Sequence, residues 1–157
     1  MWVGGVRVLI FDNEDRLLMV KQHHEDRDIW MVPGGGIEEM ETAHAAAIRE
    51  MKEETNLDIK IGRLVWHIEE VSKERGQRFV NYYVGNVVGG ELSLGIDPEF
   101  DSEHQRMREL RFVSRDEIKT FEIVFPNYLR DELWEIKEKN FTHTNIYKIR
   151  RNLHEEV

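Results

Sequence analysis

The sequence predicts a mixed α/β fold, with a mixed β-sheet packed between helices. Three observations predict it. Short apolar runs near the N-terminus read as strands. An uninterrupted segment rich in Ala, Glu, Lys and Arg follows at 41–55. Two further strand-like runs then precede a late helical stretch. With 157 residues, 40% of them hydrophobic, the chain is of a size that supports one core of its own. Residues 1–157 are therefore expected to form one domain, with the tail after about residue 140 left unplaced.

Val6, Val8 and Ile10 alternate with Arg7, Leu9 and Phe11, so 3–11 reads as a strand buried on both faces. Asp12-Asn13-Glu14-Asp15 is a turn by composition, and 16–22 returns as a second strand, which predicts a hairpin. Trp30-Met31-Val32 is a short apolar piece stopped by Pro33-Gly34-Gly35-Gly36. Glu41 to Thr55 has no Gly or Pro inside and reads as a helix. Ala47, Ile48 and Met51 share one flank of it and are expected to face the core. Residues 59–71 and 78–88 read as strands joined by a turn at Glu74-Arg75-Gly76, and 110–113 as another strand. Pro126 suits a helix start, with Leu129, Leu133 and Ile136 at helical spacing.

Charge and composition exclude several classes. A formal net charge of −9 disfavours long nucleic acids and anionic membranes, whose affinity for proteins comes largely from Lys and Arg. No apolar run approaches the roughly 20 residues of a membrane helix, and the N-terminus lacks a signal-peptide pattern, so a cytoplasmic location is expected. The absence of cysteine removes disulfides, thiolate zinc sites and cysteine nucleophiles. A polyanionic substrate would need a metal ion or a local basic patch to offset the repulsion.

Glu50, Glu53 and Glu54 stand at i, i+3 and i+4, so their side chains leave one helix face within about one turn. Like charges at that spacing destabilise a helix unless something neutralises them. Mg²⁺ would, since it takes carboxylates, waters and phosphates as ligands; Mn²⁺ is the alternative ion. Ala43 and Ala46, on the same face, leave room for a ligand. The glycine-rich turn ahead of the helix lets the backbone come close to that ligand. It matches neither GxxxxGK[ST] nor GxGxxG. Taken alone, three such glutamates make only a solvated face.

Taken together, these residues resemble a family. Gly35, Glu41, Arg49-Glu50-Met51, Glu53-Glu54 and Asn56-Leu57 keep the spacing of the Nudix box, GX5EX7REUXEEXGU with U apolar. Asn56 alone departs, standing where the box has glycine. Asn is the next best residue for the left-handed end of a helix. Trp30, Pro33, Gly34 and Glu38 resemble the usual approach to the box, and Met40 stands where many members have glycine. The resemblance implies an α/β/α sandwich and hydrolysis of a nucleoside diphosphate linked to another moiety. It implies Glu50 and Glu54 as the main Mg²⁺ ligands, with Glu53 a further ligand or the base for the attacking water. The Gly34 carbonyl would be another ligand, Arg49 would orient the glutamates, and Glu41 would brace the loop against the helix.

Substrate and partner readings are broader. A small nucleotide-derived substrate is expected: a nucleotide sugar, ADP-ribose or a nucleoside triphosphate. Arg7, Arg27, Arg78 and Tyr82 are candidates to contact phosphate or stack on a base. The acidic loop from Asp97 to Glu103 offers a late carboxylate as base, Glu103 ahead of Glu99. The proline that marks some ADP-ribose members is replaced by Ser72, and the tyrosine of dinucleoside polyphosphate members is missing at 73–75. A non-catalytic nucleotide-binding module of the same fold is the alternative; it would be expected to have lost one of Arg49, Glu50, Glu53 or Glu54, and none is lost. An isoprenoid isomerase of this fold uses a cysteine, and the chain has none. A homodimer is left open.

Overall fold

The computed structural model describes residues 4–73, 76–95 and 107–151. Among them the elements run β1 (Gly4–Leu9), β2 (Leu17–His24), β3 (Arg27–Met31), β4 (Gly34–Gly36) and α1 (Ala43–Thr55). Then come β5 (Leu57–Ser72), β6 (Gly76–Gly90), β7 (Met107–Val113), α2 (Arg115–Ile118), β8 (Val124–Phe125), α3 (Glu132–Glu138) and β9 (Tyr147–Arg151). The strands form a five-stranded sheet, β4-β1-β6-β5-β9, and a four-stranded sheet, β7-β2-β3-β8. Both are mixed: β1 and β6, β5 and β9, and β3 and β8 pair in parallel. The mixed α/β class is the predicted one, with the strands divided between two sheets where one was expected.

That division confines the expected hairpin of 3–11 with 16–22 to its turn, where Asp12 N donates to the Arg16 carbonyl at 2.9 Å. β1 pairs with β4 and β6, whereas β2 pairs with β3 and β7. Where the two strands part, a bridge between Phe11 and Leu17 joins them, and Leu18 N donates to the Ile10 carbonyl. Both strands are apolar on both faces, so each is buried best as an interior strand of its own sheet. Alternation along β1 then feeds two cores. Val6 and Val8, with Ile10 beyond, pack under α1 with Ala46, Ala47 and Met51. Leu9 points the other way, to Leu17, Met19, Trp66 and Leu133.

The buried stripe of α1 is Ala46, Ala47, Met51 and Thr55, and Ile48 is 44% exposed. The expected flank was thus rotated by one residue. The rotation has a functional consequence, because it turns Glu50 and Glu54 half inward toward β4. Ala46 accordingly lies in the core and not beside a ligand.

The late helix is broken in two. Pro126 precedes a 3-10 turn at Asn127–Leu129, and α3 begins only at Glu132. Leu129, Leu133 and Ile136 are buried as the spacing required. The tail contains β9, an edge strand on β5. Its alternation is inverted, with Tyr147 and Ile149 outward and Arg150 buried, so its apolar pattern gave no strand signal. No helix among the described residues is long and apolar enough to cross a membrane.

Candidate active site

α1 is held at both ends. The Thr42 hydroxyl accepts from Ala45 N at 3.1 Å, and Asn56 closes the helix in the left-handed region at φ 63°. Glu41 lies outside the helix, in the loop leading to it. Its carboxylate accepts two hydrogen bonds from Arg49, from Nε at 2.8 Å and Nη2 at 2.9 Å, and a third from Glu38 N at 3.0 Å. Arg49 Nη2 also donates to the Gly36 carbonyl at 2.9 Å, and Nη1 reaches Glu50 at 3.0 Å and Glu53 at 3.2 Å. One planar guanidinium thereby ties the loop, the glycine strand and two glutamates together. Its five fixed donors suit it to that task, and lysine has no equivalent fork.

The three glycines of β4 form a thin edge strand. They pair antiparallel with β1, Gly5 with Gly36, Val6 with Gly35 and Arg7 with Gly34. A Cβ on Gly35 would overlap the Glu50 carboxylate, and one on Gly34 would lie 2.6 Å from Cγ of Arg7. Glycine is therefore required here for close approach rather than for a turn. The Gly34 N–H donates to Oε2 of Glu54 at 2.8 Å, which joins the last turn of α1 to the same strand.

Electrostatics divides the carboxylates. The Arg49 guanidinium, with help from Glu38 N–H, brings Glu41 down to about 2. Burial pushes Glu54 up to about 7, against the opposing pull of Arg7 and the Gly34 N–H. Burial also raises Glu50, although Arg49 opposes it. Arg49 is held firmly protonated, chiefly by its bonds to Glu41. Glu53 is the solvent-facing member, its side chain 58% exposed. Half-buried carboxylates whose charge is costly are poised to take up a proton or a cation. Among the described residues, no three acidic or histidine side chains already converge on one metal position. Arg49 draws Glu50 and Glu53 to one side, and Gly34 holds Glu54 to the other.

The predicted substrate contacts separate. Arg7 stands in register with Gly34: its Nη1 donates to the Val32 carbonyl at 2.6 Å, and its charge favours the ionised forms of Glu50 and Glu54. Arg78 sits on β6, its Nε 3.6 Å from Glu70. Arg27 stands apart, lining a surface pocket of about 430 Å³ with Asp28, Trp30 and Glu122. Tyr82 is no base-stacking residue. It is 2% exposed in the core, edge-on to Trp66 at 5.7 Å, with burial raising its hydroxyl to about 12. The sheet face it occupies is covered by the second sheet, with Trp30, Val113 and Val124 in the same core. Glu103 and Glu99 lie outside the described residues. The sequence reading missed Glu70, Arg150 and Gly5. A glycine inside a strand, as at position 5, was the available signal for a close approach.

The sequence profile of the NUDIX domain matches residues 1–133. An RNA pyrophosphohydrolase of Sphingopyxis alaskensis is 28% identical over 135 residues, covering 78% of this chain and 84% of its own length. An ADP-ribose pyrophosphatase of Methanocaldococcus jannaschii is 31% identical over 90 residues, 56% of this chain; the match spans 53% of the archaeal protein. A NUDIX hydrolase structure from Nitrosomonas europaea superimposes with a TM-score of 0.70 at 19% identity, covering 89% of this chain and 90% of that one, a likeness of fold. The box residues, their arrangement around a glycine edge strand and the match over most of the chain agree: the chain belongs to the Nudix family of hydrolases.

Proposed function

We propose that this protein hydrolyses a pyrophosphate linkage in a small nucleotide-derived substrate, with Mg²⁺ as cofactor and Mn²⁺ as the alternative ion. The observation that carries the reading is the Glu50–Glu54 pair. Both carboxylates are kept half-buried beside bare glycine backbone at a cost to their ionised forms. A divalent cation would offset that cost, and the all-oxygen donor set suits Mg²⁺. Glu50 and Glu54 would hold it, with Glu53 and the Gly34 carbonyl as further ligands. When bound, the ion offsets phosphate charge and makes water easier to deprotonate.

The remaining roles belong to the chain. Arg49 keeps Glu50 and Glu53 from repelling one another, and Glu41 fixes Arg49 from the loop side. Glu53, exposed on the same face, would take the proton from the attacking water. The water oxygen bonds to phosphorus as the bond to the bridging oxygen breaks, and the leaving phosphate departs with that oxygen. Glu103 of the acidic loop is the competing base. Arg7, in register with Gly34 on β1, would receive negative charge from the substrate.

Relatives named an RNA pyrophosphohydrolase and an ADP-ribose pyrophosphatase share the pyrophosphate bond in their names, which supports the bond cleaved; nucleotide sugars, ADP-ribose and nucleoside triphosphates are the substrates to try. The test is a panel of these assayed for monophosphate or pyrophosphate release with Mg²⁺ and again in EDTA. Release with Mg²⁺ and none in EDTA is expected. No turnover on any member would overturn the function, and undiminished turnover after chelation would overturn the metal's part in it.

A further inference from the structure

Gly5 lies inside β1, a position where glycine is unfavourable unless something must come close. A Cβ built there would stand 2.6 Å from Nη2 of Arg78. The Arg78 guanidinium therefore rests on bare β1 backbone, two residues from Arg7. Alternation places Gly5 and Arg7 on the same face of β1. That face is opposite the one on which Val6 packs under α1 and Glu50 covers Gly35. β4 is the edge strand beside β1, so a diphosphate at that edge can meet carboxylates on one face and guanidinium groups on the other.

Arg78 is aimed from behind. Glu70 Oε1 lies 3.6 Å from its Nε, and Glu70 Oε2 accepts from Nη1 of Arg150 at 3.1 Å. Strand register puts Arg78, Glu70 and Arg150 in one row across β6, β5 and β9. Arg150 is 3% exposed, with its guanidinium 5.2 Å from the centre of the Phe125 ring. A buried ion pair is a weak stabiliser compared with apolar residues of the same size, so stability is a poor reason for this row. Orientation is a better one. Register pairs Gly5 with Val80 and Arg7 with Tyr82, so Arg78, two residues before Val80, shares the sheet face of Gly5 and Arg7. Arg150 also lies beyond the stretch that the family profile matches.

We propose that Arg7 and Arg78 form an anion subsite for a phosphate of the substrate, and that Glu70 and Arg150 are positioning residues that hold Arg78 over Gly5. The guanidinium fork matches phosphate oxygens two at a time, and a local basic spot offsets the repulsion of a chain with net charge −9. The subsite rests on the reading that the substrate is a derivative of a nucleoside diphosphate, so ADP is the probe. Binding of ADP to the full chain is measured by calorimetry in EDTA, which reads the arginines without metal and without turnover.

Arg78→Ala should weaken ADP binding at least about tenfold, the loss of a charge-assisted pair. Arg150→Met and Glu70→Gln should each weaken it by several-fold, and by less than about twofold when added to Arg78→Ala, because they act through Arg78. Gly5→Ala meets only the far end of the Arg78 side chain at under 3 Å and should weaken binding several-fold while the melting temperature holds; it carries the test if Arg150→Met fails to fold. Absence of ADP binding in EDTA, or wild-type binding by Arg78→Ala, would remove the subsite. An undiminished effect of Arg150→Met or Glu70→Gln in the Arg78→Ala background would remove the positioning role. Absence of nucleotide turnover with Mg²⁺, beside the expected ADP pattern, would overturn the hydrolase reading and leave the subsite standing.

Discussion

Glu41 stands just before α1 and Glu54 in its last turn, and the two carboxylates meet opposite surroundings. Glu41 faces an arginine fork and a backbone N–H, and its ionised form is favoured. Glu54 faces burial and two neighbouring glutamates, and its ionised form is disfavoured. The first end of the segment is a finished structural joint. The second is unfinished until a proton or cation arrives. One 14-residue stretch thus separates stability from chemistry by choosing which glutamate receives the guanidinium.

The largest effect should come from the unfinished end. Glu50→Gln and Glu53→Gln keep side-chain size and should each lower kcat about 10²- to 10⁴-fold, with helicity by circular dichroism retained. Near-wild-type kcat in either variant would take that residue out of the mechanism. Gly35→Ala sharpens the comparison from the strand side. Its methyl would overlap the Glu50 carboxylate, so kcat should fall at least about tenfold while the fold persists. Unchanged kcat would mean that Glu50 needs no fixed seat.

Acidity tests the comparison directly. The folded Glu54 is raised from 4.5 to about 7 and so binds protons more tightly than the unfolded chain does. Its contribution is complete below about pH 4.5 and is lost as pH rises through about 7, by about 3 kcal/mol at most. Glu41 has the reverse sign, stabilising above about 4.5 and losing its contribution as pH falls through about 2. In EDTA the melting temperature should therefore drop between pH 5 and pH 8, and Glu54→Gln should flatten that drop. An equally steep profile in Glu54→Gln would assign the dependence to another group.

The smallest effects concern two positions where glycine is usual in the family. Met40 has φ 66° and is 98% exposed, so Met40→Gly relieves left-handed strain without losing packing. A gain of about 0.5–1 kcal/mol is expected after glycine's own entropy cost. Asn56 also sits left-handed, but its Nδ2 donates to the Glu91 carbonyl at 2.9 Å. Asn56→Gly loses that bond and should change stability by less than about 1 kcal/mol. Thermal melts of both variants check the contrast; a larger gain at 56 than at 40 would reverse it.

Local spacing is what the sequence carried well. The box, the helix over most of 41–55, its left-handed end at Asn56 and the double-faced burial of β1 all depend on residues within a turn or two of one another. Their physics is local: propensity, capping and alternation. The third dimension decided what spans the chain. β1 and β2 went to different sheets because each needed two partners. Ile48 turned outward because Ala46, Ala47 and Met51 are the residues that the helix seats on β1, β5 and β6. Tyr82 vanished beneath a second sheet that no periodicity in β6 announces. Arg78, Glu70 and Arg150, separated by up to 80 residues, met only because β9 added to β5 in register. Alternation tells which residues share a strand face, but what covers that face is set by long-range pairing, which a single sequence does not encode in its spacing.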